Sequence, residues 1–217
     1  MLLSVRADDP RTMADIDPGR DPDRDAESVL RGDPVLAAVM DRHELQPLEP
    51  VSNEYERLCV SIINQQLSTA SATAVRDRVF DVLEGEITPE SVLAVSQEEL
   101  LEAGLSRTKV DYMRNAARAF QTRDLTRAGL AEHSNDAVIE ELTRIKGVGE
   151  WTAHMYLMFV LQRPDVLPLG DLAIRRGIEQ LYNDGEELPR TAMREIAEPW
   201  RPHRSLASRY IWAEYEA

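Results

Sequence analysis

One cysteine, Cys59, occurs in 217 residues. No disulfide can close within the chain, and neither a four-cysteine zinc site nor a four-cysteine iron–sulfur cluster can be assembled from it. A reducing, cytoplasmic setting fits that poverty best. Lysine is nearly as scarce. Lys109 and Lys146 are the only two among 25 basic residues, so the positive charge is almost wholly arginine. Long apolar runs are missing too: the opening MLLSVRADDP meets acids too soon for a signal peptide, and no stretch reaches the length of a membrane span. Strand-like alternation is hard to find anywhere.

Acid is what the chain has in excess, with 39 Asp and Glu and a formal net charge of -14. Phosphate binding is driven by Lys and Arg displacing counterions, so this balance argues at first against a nucleic-acid partner. The distribution weakens that objection. Residues 107–127 carry Arg107, Lys109, Arg114, Arg118, Arg123 and Arg127 against Asp111 and Asp124, and residues 201–209 contain no acid. Arg107, Lys109, Arg201 and Arg204 are therefore candidates for a face that meets phosphate, although any one of them read alone is an equally ordinary solvated helix charge. An acidic, lysine-poor surface also suggests adaptation to high salt, where screening shortens the reach of bulk repulsion and activity should persist in molar salt.

Residues 1–28 are rich in Asp, Arg and Pro and read as a disordered acidic tail outside the fold, with Met13 as an alternative start. From Asp33 onward, helical spacing dominates. Tyr55, Leu58, Cys59, Ile62 and Ile63 form one stripe and Val110, Met113, Ala117 and Phe120 another. Thr88 before Pro89, Ser96 with Glu99, and Ser106 mark helix starts, and Asn135 precedes a further stripe. The pattern predicts an all-α fold of eight to ten short helices, and the length allows one substantial domain or two small lobes sharing an interface.

The most informative stretch is 142–171, LTRIKGVGEWTAHMYLMFVLQRPDVLPLGD. Gly147 and Gly149 are expected to supply the positive φ of a tight turn between two helices, and without Cβ atoms they let a phosphate approach the N–H groups that open the next helix. Ile145 and Val148 would pin the turn into the core. The run 151–161 is apolar nearly all round and so should be buried. Asp171 precedes a helically spaced run, which alone would make it a cap.

Helix, Gly-Val-Gly hairpin, buried helix, Pro168-Leu169-Gly170 and Asp171 in that order resemble the helix-hairpin-helix DNA glycosylase superfamily. Gly149-Glu150-Trp151-Thr152-Ala153 and the tail from Trp200 to Ser205 are similar to its 3-methyladenine DNA glycosylase II branch, in a compact form without an N-terminal sheet domain. The resemblance runs from about residue 30 to the end and implies two helical lobes, one of residues 52–163 and the other joining 29–51 to 164–217, with DNA across the cleft between them. It implies a partner, damaged double-stranded DNA, and a reaction, hydrolysis of the N-glycosidic bond of an extruded alkylated purine, carried out by a monomer without organic cofactor or catalytic metal. A monovalent cation at the Ile145 and Val148 carbonyls would be the one ion implied.

The resemblance also assigns residues. Asp171 is the catalytic carboxylate. Trp151 and Trp212 fall at base-pocket positions, with Met155 where one bacterial member has a tyrosine and Tyr156 beside it; a cationic base over such rings gains about 0.5 to 2 kcal/mol each. Gln65 and Gln66 align with the residues that wedge into the duplex, where spacing alone would make them a solvent-facing helix end. Gly147, Val148 and Gly149 grip the DNA backbone. Trp151 stands where strand-cutting members carry a lysine, and an indole forms no Schiff base, so lyase chemistry by that route is excluded. Trp200 reads as core and His154 as a buried histidine. Two other readings stay open: a hairpin protein that binds DNA structure without catalysis, and a glycosylase for oxidised or deaminated bases.

Overall fold

A computed structural model of the chain describes residues 22–67 and 69–217. It is all-α, with no strand among the described residues. The helices are α1 (Pro22–Leu30), α2 (Pro34–Met40), α3 (Glu54–Asn64), α4 (Thr69–Val82), α5 (Pro89–Ala94), α6 (Gln97–Glu102), α7 (Arg107–Thr122), α8 (Asn135–Thr143), α9 (Glu150–Phe159), α10 (Leu172–Tyr182), α11 (Arg190–Ile196) and α12 (Arg204–Tyr215), with a 3-10 turn at Glu198–Trp200. That exceeds the eight to ten expected. One helix beyond the expectation is α1, in the segment expected to be a disordered tail. The caps at Thr88, Ser96 and Ser106 are present, the first two as capping boxes, while α8 is capped by Ser134.

The tail expected over residues 1–28 needs correction at its end, and residues 1–21 lie outside the described ones. Helix α1 begins at Pro22 and buries Ala26 and Leu30, four apart, while the Tyr210 hydroxyl donates to Glu27 at 2.8 Å. Asp25 and Ser28 are exposed, and the charge and proline of the segment made it look unstructured in composition alone.

Buried apolar residues form two clusters. One runs from Tyr55 to Val166 through α3–α9; the other joins α1 and α2 to α10–α12 and contains Trp200 at 0 % exposure. Asp33 organises the second. It caps α2 through Val35 and Leu36 N–H and accepts from Trp200 Nε1 and Tyr182 OH, both at 2.9 Å. Trp212 packs against both clusters, so it stands at the seam between them. The connector from α9 to α10 follows that seam and is fixed by α12, whose Ser205 Oγ donates to the Arg163 carbonyl and accepts from Val166 N–H. Asp171, the last connector residue, is thereby set where the two cores meet.

Candidate active site

Between α8 and α9 the chain turns through Lys146, Gly147, Val148 and Gly149. Gly147 has φ +107, and a Cβ there would lie 2.1 Å from the Tyr112 ring, so both backbone and space require glycine. Gly149 departs from expectation: its φ is -93, ordinary extended backbone, and no atom lies within 4 Å of an added Cβ. Its glycine character leaves open space, not a special dihedral. Gly149 is the N-cap of α9 and no side chain among the described residues caps that helix, so its first N–H groups are open at the cleft, the arrangement that receives an anion. Ile145 and Val148 are buried at 3 % and 4 % exposure and anchor the turn. The Ile145 carbonyl accepts from Val148 N–H at 2.9 Å and keeps a second lone pair, which fits the oxygen-only donor set a hard monovalent cation takes.

Asp171 is the N-cap of α10, accepting from Ile174 N–H at 3.0 Å through Oδ1. Both tryptophans named from the sequence reach it as well. Trp151 Nε1 donates to Oδ2 at 2.7 Å and Trp212 Nε1 to Oδ1 at 3.0 Å. Phe159 stacks on Trp212 at 5.8 Å between ring centroids and 29° between planes. The loop before Asp171 has its own restraint, since Arg175 Nη1 lies 2.9, 3.1 and 3.3 Å from the carbonyls of Leu169, Gly170 and Asp171.

Asp171 opens into a cleft of about 1060 Å³ bounded by Asn64–Leu67, Tyr112, the hairpin, Trp151, Thr152, Gly170–Ala173 and Tyr215. Leu172 (58 % exposed), Tyr215 (42 %) and Leu67 (39 %) all line it. Exposed large apolar groups gathered on one concave surface mark a binding site rather than scattered surface. Sequence reading missed all three, along with Tyr112 and Phe159; Leu67, following Gln65-Gln66, was the one with a positional signal. Among the lining residues Asp171 is the only charge. The two lysines flank it: exposed Lys146 precedes Gly147, and Lys109 lies beside Gln65 and Gln66. Partial burial lowers the Lys109 pKa, and its Nζ donates to the Ile63 carbonyl at 2.8 Å. Arg107 is exposed in the same first turn of α7.

Gln65 and Gln66 differ in what holds them. Gln65 Nε2 donates to the Gly147 carbonyl (3.3 Å) and Thr152 Oγ1 (3.2 Å), bracing the hairpin. Gln66 is exposed at φ +59 and is the free one. Of the four residues expected in the base pocket only Trp151 lines the cleft; Trp212 reaches Asp171 from the seam between the cores, and Met155 and Tyr156 do not line it. Helix α9 runs inward from it, so Met155, one turn beyond Trp151, is in the core; Tyr156 points roughly 140° away from Trp151 and gives its hydroxyl to the Leu125 carbonyl at 2.6 Å. Arg201 and Arg204 are not free for phosphate either. Both bind Asp165, with Arg201 Nη1 at 2.6 Å and Arg204 through Nε at 2.5 Å and Nη2 at 3.0 Å, and they line a separate cavity beside His154.

His154 is 8 % exposed, its Nδ1 has no partner among the described residues, and Glu150 lies 4.0 Å from Nε2. Burial holds its pKa below the ordinary 6.5, with Glu150 opposing. The unfolded chain therefore takes up this proton at a higher pH than the folded one. Stability should fall as pH drops through about 6.5. Thermal melts at about pH 7 and about pH 5.5 are expected to show a lower midpoint at the acid value, and His154→Gln should shrink the difference. An unchanged difference would assign the effect to other groups.

Comparison with known proteins shows the family and the fold. Residues 59–202 match the profile described as HhH-GPD superfamily base excision DNA repair protein. The chain is 34% identical over 161 residues to DNA-3-methyladenine glycosylase 1 of Schizosaccharomyces pombe, covering 73% of this chain and 71% of that one. A crystal structure of DNA-3-methyladenine glycosidase from Bacillus halodurans is similar with a TM-score of 0.77 and 33% identity over 90% of this chain and 89% of that one. The Schizosaccharomyces pombe 3-methyladenine DNA glycosylase in complex with abasic DNA is similar with a TM-score of 0.80 and 30% identity, over 89% and 97%.

Proposed function

The chain belongs to the HhH-GPD superfamily of base excision DNA repair proteins, and from that premise we propose that it is a monofunctional DNA glycosylase that hydrolyses the N-glycosidic bond of alkylated purines of the 3-methyladenine type. The observation that carries the reading is Asp171: one carboxylate, fixed by three N–H donors, at the floor of an otherwise uncharged cleft beside an uncapped helix N-terminus. The N–H groups of α9, with Lys146, Lys109 and Arg107 nearby, would hold the strand without reading bases. Bringing a damaged nucleotide out of the stack costs a few kcal/mol, and Gln66 with Leu67 is placed to fill the gap.

Once the base is extruded, Trp151 on the cleft wall supplies an electron-rich ring to a cationic purine, which is already a good leaving group and needs no proton, and Trp212 holds Asp171. Asp171 faces the sugar. Positive charge builds there as the bond breaks, and a fixed carboxylate stabilises that state more than the ground state. It also orients the attacking water. A monovalent cation on the hairpin carbonyls would add positive charge under the bound phosphate. With Trp151 in place of a lysine, the product is an intact strand with an abasic site, and the enzyme acts as a monomer.

Incubation with methylated duplex DNA should release 3-methyladenine and leave sites that break only after alkali. Breaks without alkali would overturn the monofunctional assignment. Faster excision of 8-oxoguanine or hypoxanthine would move the enzyme to oxidised or deaminated bases, and DNA binding with no base released would leave a binding protein.

A further inference from the structure

The chain has three tryptophans, and each gives its indole N–H to an aspartate. Trp200 does so within the second core, to Asp33. Trp151 and Trp212 converge on Asp171 from different helices, α9 and α12, one on each carboxylate oxygen. Resting on the reading of Asp171 as the carboxylate that faces the deoxyribose, we infer that Trp151 and Trp212 are positioning residues whose N–H groups clamp that carboxylate and leave Oδ2 as the oxygen that meets the reacting sugar and water.

The assignment follows from counting acceptors. A carboxylate oxygen has two lone pairs in its plane. Oδ1 accepts from Ile174 N–H and Trp212 Nε1, both at 3.0 Å, and is saturated. Oδ2 accepts only from Trp151, at 2.7 Å, and keeps one lone pair. An aspartate's second side-chain torsion is broad and intrinsically soft. Two donors on opposite oxygens from helices of different cores remove that freedom, and the Arg175 contacts hold the loop behind it. Indole N–H bonds lie in the ring plane, so donation itself covers neither π face; Phe159 stacks on Trp212, whereas Trp151 lines the cleft. Trp151 can therefore stack on a base and orient the acid at once, while Trp212 orients the acid from the seam between the cores. Donation to an anion also enriches the ring in electrons, which favours a cationic base.

The test separates this clamp from both stacking and the glycosylase assignment. A 1H–15N spectrum should show three indole signals, assigned by single Trp→Phe variants. Asp171→Asn should shift those of Trp151 and Trp212 and leave that of Trp200, held by Asp33, in place. Either of the first two staying put removes that tryptophan from the clamp, whatever the enzyme's substrate. The second arm replaces Trp151 by 3-benzothienylalanine, which keeps ring size and face but has sulfur in place of N–H. Single-turnover base release should fall about tenfold with affinity for abasic-site DNA held within about twofold. A rate equal to wild type, or a loss of affinity that accounts for the fall, overturns the inference. A wild-type protein that releases no base sinks the glycosylase reading instead, and the indole shifts still decide the clamp.

Discussion

Asp171→Asn should lower single-turnover base release from methylated DNA by about a thousandfold or more while leaving affinity for abasic-site DNA within a few fold. Asparagine keeps the size and the cap to Ile174 N–H, but it carries no charge to set against a developing oxocarbenium. It also turns an NH2 group toward an indole donor, because the two oxygens of Asp171 each face a tryptophan N–H and only one side of the amide can accept. The unmet donor should cost about 1–3 kcal/mol of stability, visible in denaturant unfolding. Rate and affinity must be read separately for that reason. A variant that folds, binds and still releases base within tenfold of wild type would take the carboxylate out of the chemistry.

How far the sequence disclosed this site depended on which physical signal each residue left in it. The hairpin and Asp171 as a cap were legible from a glycine-flanked turn and a following helix start in one continuous stretch, while the catalytic reading of Asp171 and the place of Trp151 came from the resemblance. Trp212 was legible only through resemblance, since nothing in α12 marks a residue that touches both cores. Met155 and Tyr156 went astray for a definite reason. Helix α9 is buried on nearly every side from Thr152 to Met158, so its apolar pattern has no polar face from which to orient the rest. Arg201 and Arg204 looked free because residues 201–209 carry no acid, whereas Asp165, 36 and 39 residues earlier, takes both and Glu198 also pairs with Arg201. The reverse happened at Pro22–Leu30, where charge and proline in the sequence hid Ala26 and Leu30, spaced for one helix face. Long-range pairing and inward helix direction are properties of the fold, and no local pattern records them.

The two glycines of the hairpin should part company when each is given a methyl group. Gly147→Ala sets a Cβ 2.1 Å from Tyr112 Cγ and 2.4 Å from Cδ1 at a φ of +107. Left-handed backbone costs roughly 1–2 kcal/mol for a residue with a Cβ, and overpacking adds roughly 1–3, so a loss of about 2–5 kcal/mol is expected. Tyr112 lines the cleft and the Gly147 carbonyl holds Gln65, so moving the ring disturbs the wall and the brace together, and DNA binding should go with stability. Gly149→Ala meets no atom within 4 Å at an ordinary φ of -93. Its unfolding free energy should stay within about 1 kcal/mol of wild type, the scale of an N-cap change. The new methyl group nevertheless occupies the space through which a phosphate would reach the first N–H groups of α9. Affinity for duplex DNA should therefore fall about tenfold or more in a protein as stable as the original, a separation that equilibrium unfolding and binding isotherms at one salt concentration resolve. Wild-type affinity in Gly149→Ala would mean that the strand passes this turn at a distance, and the grip would have to be sought at Lys109 and Arg107 instead.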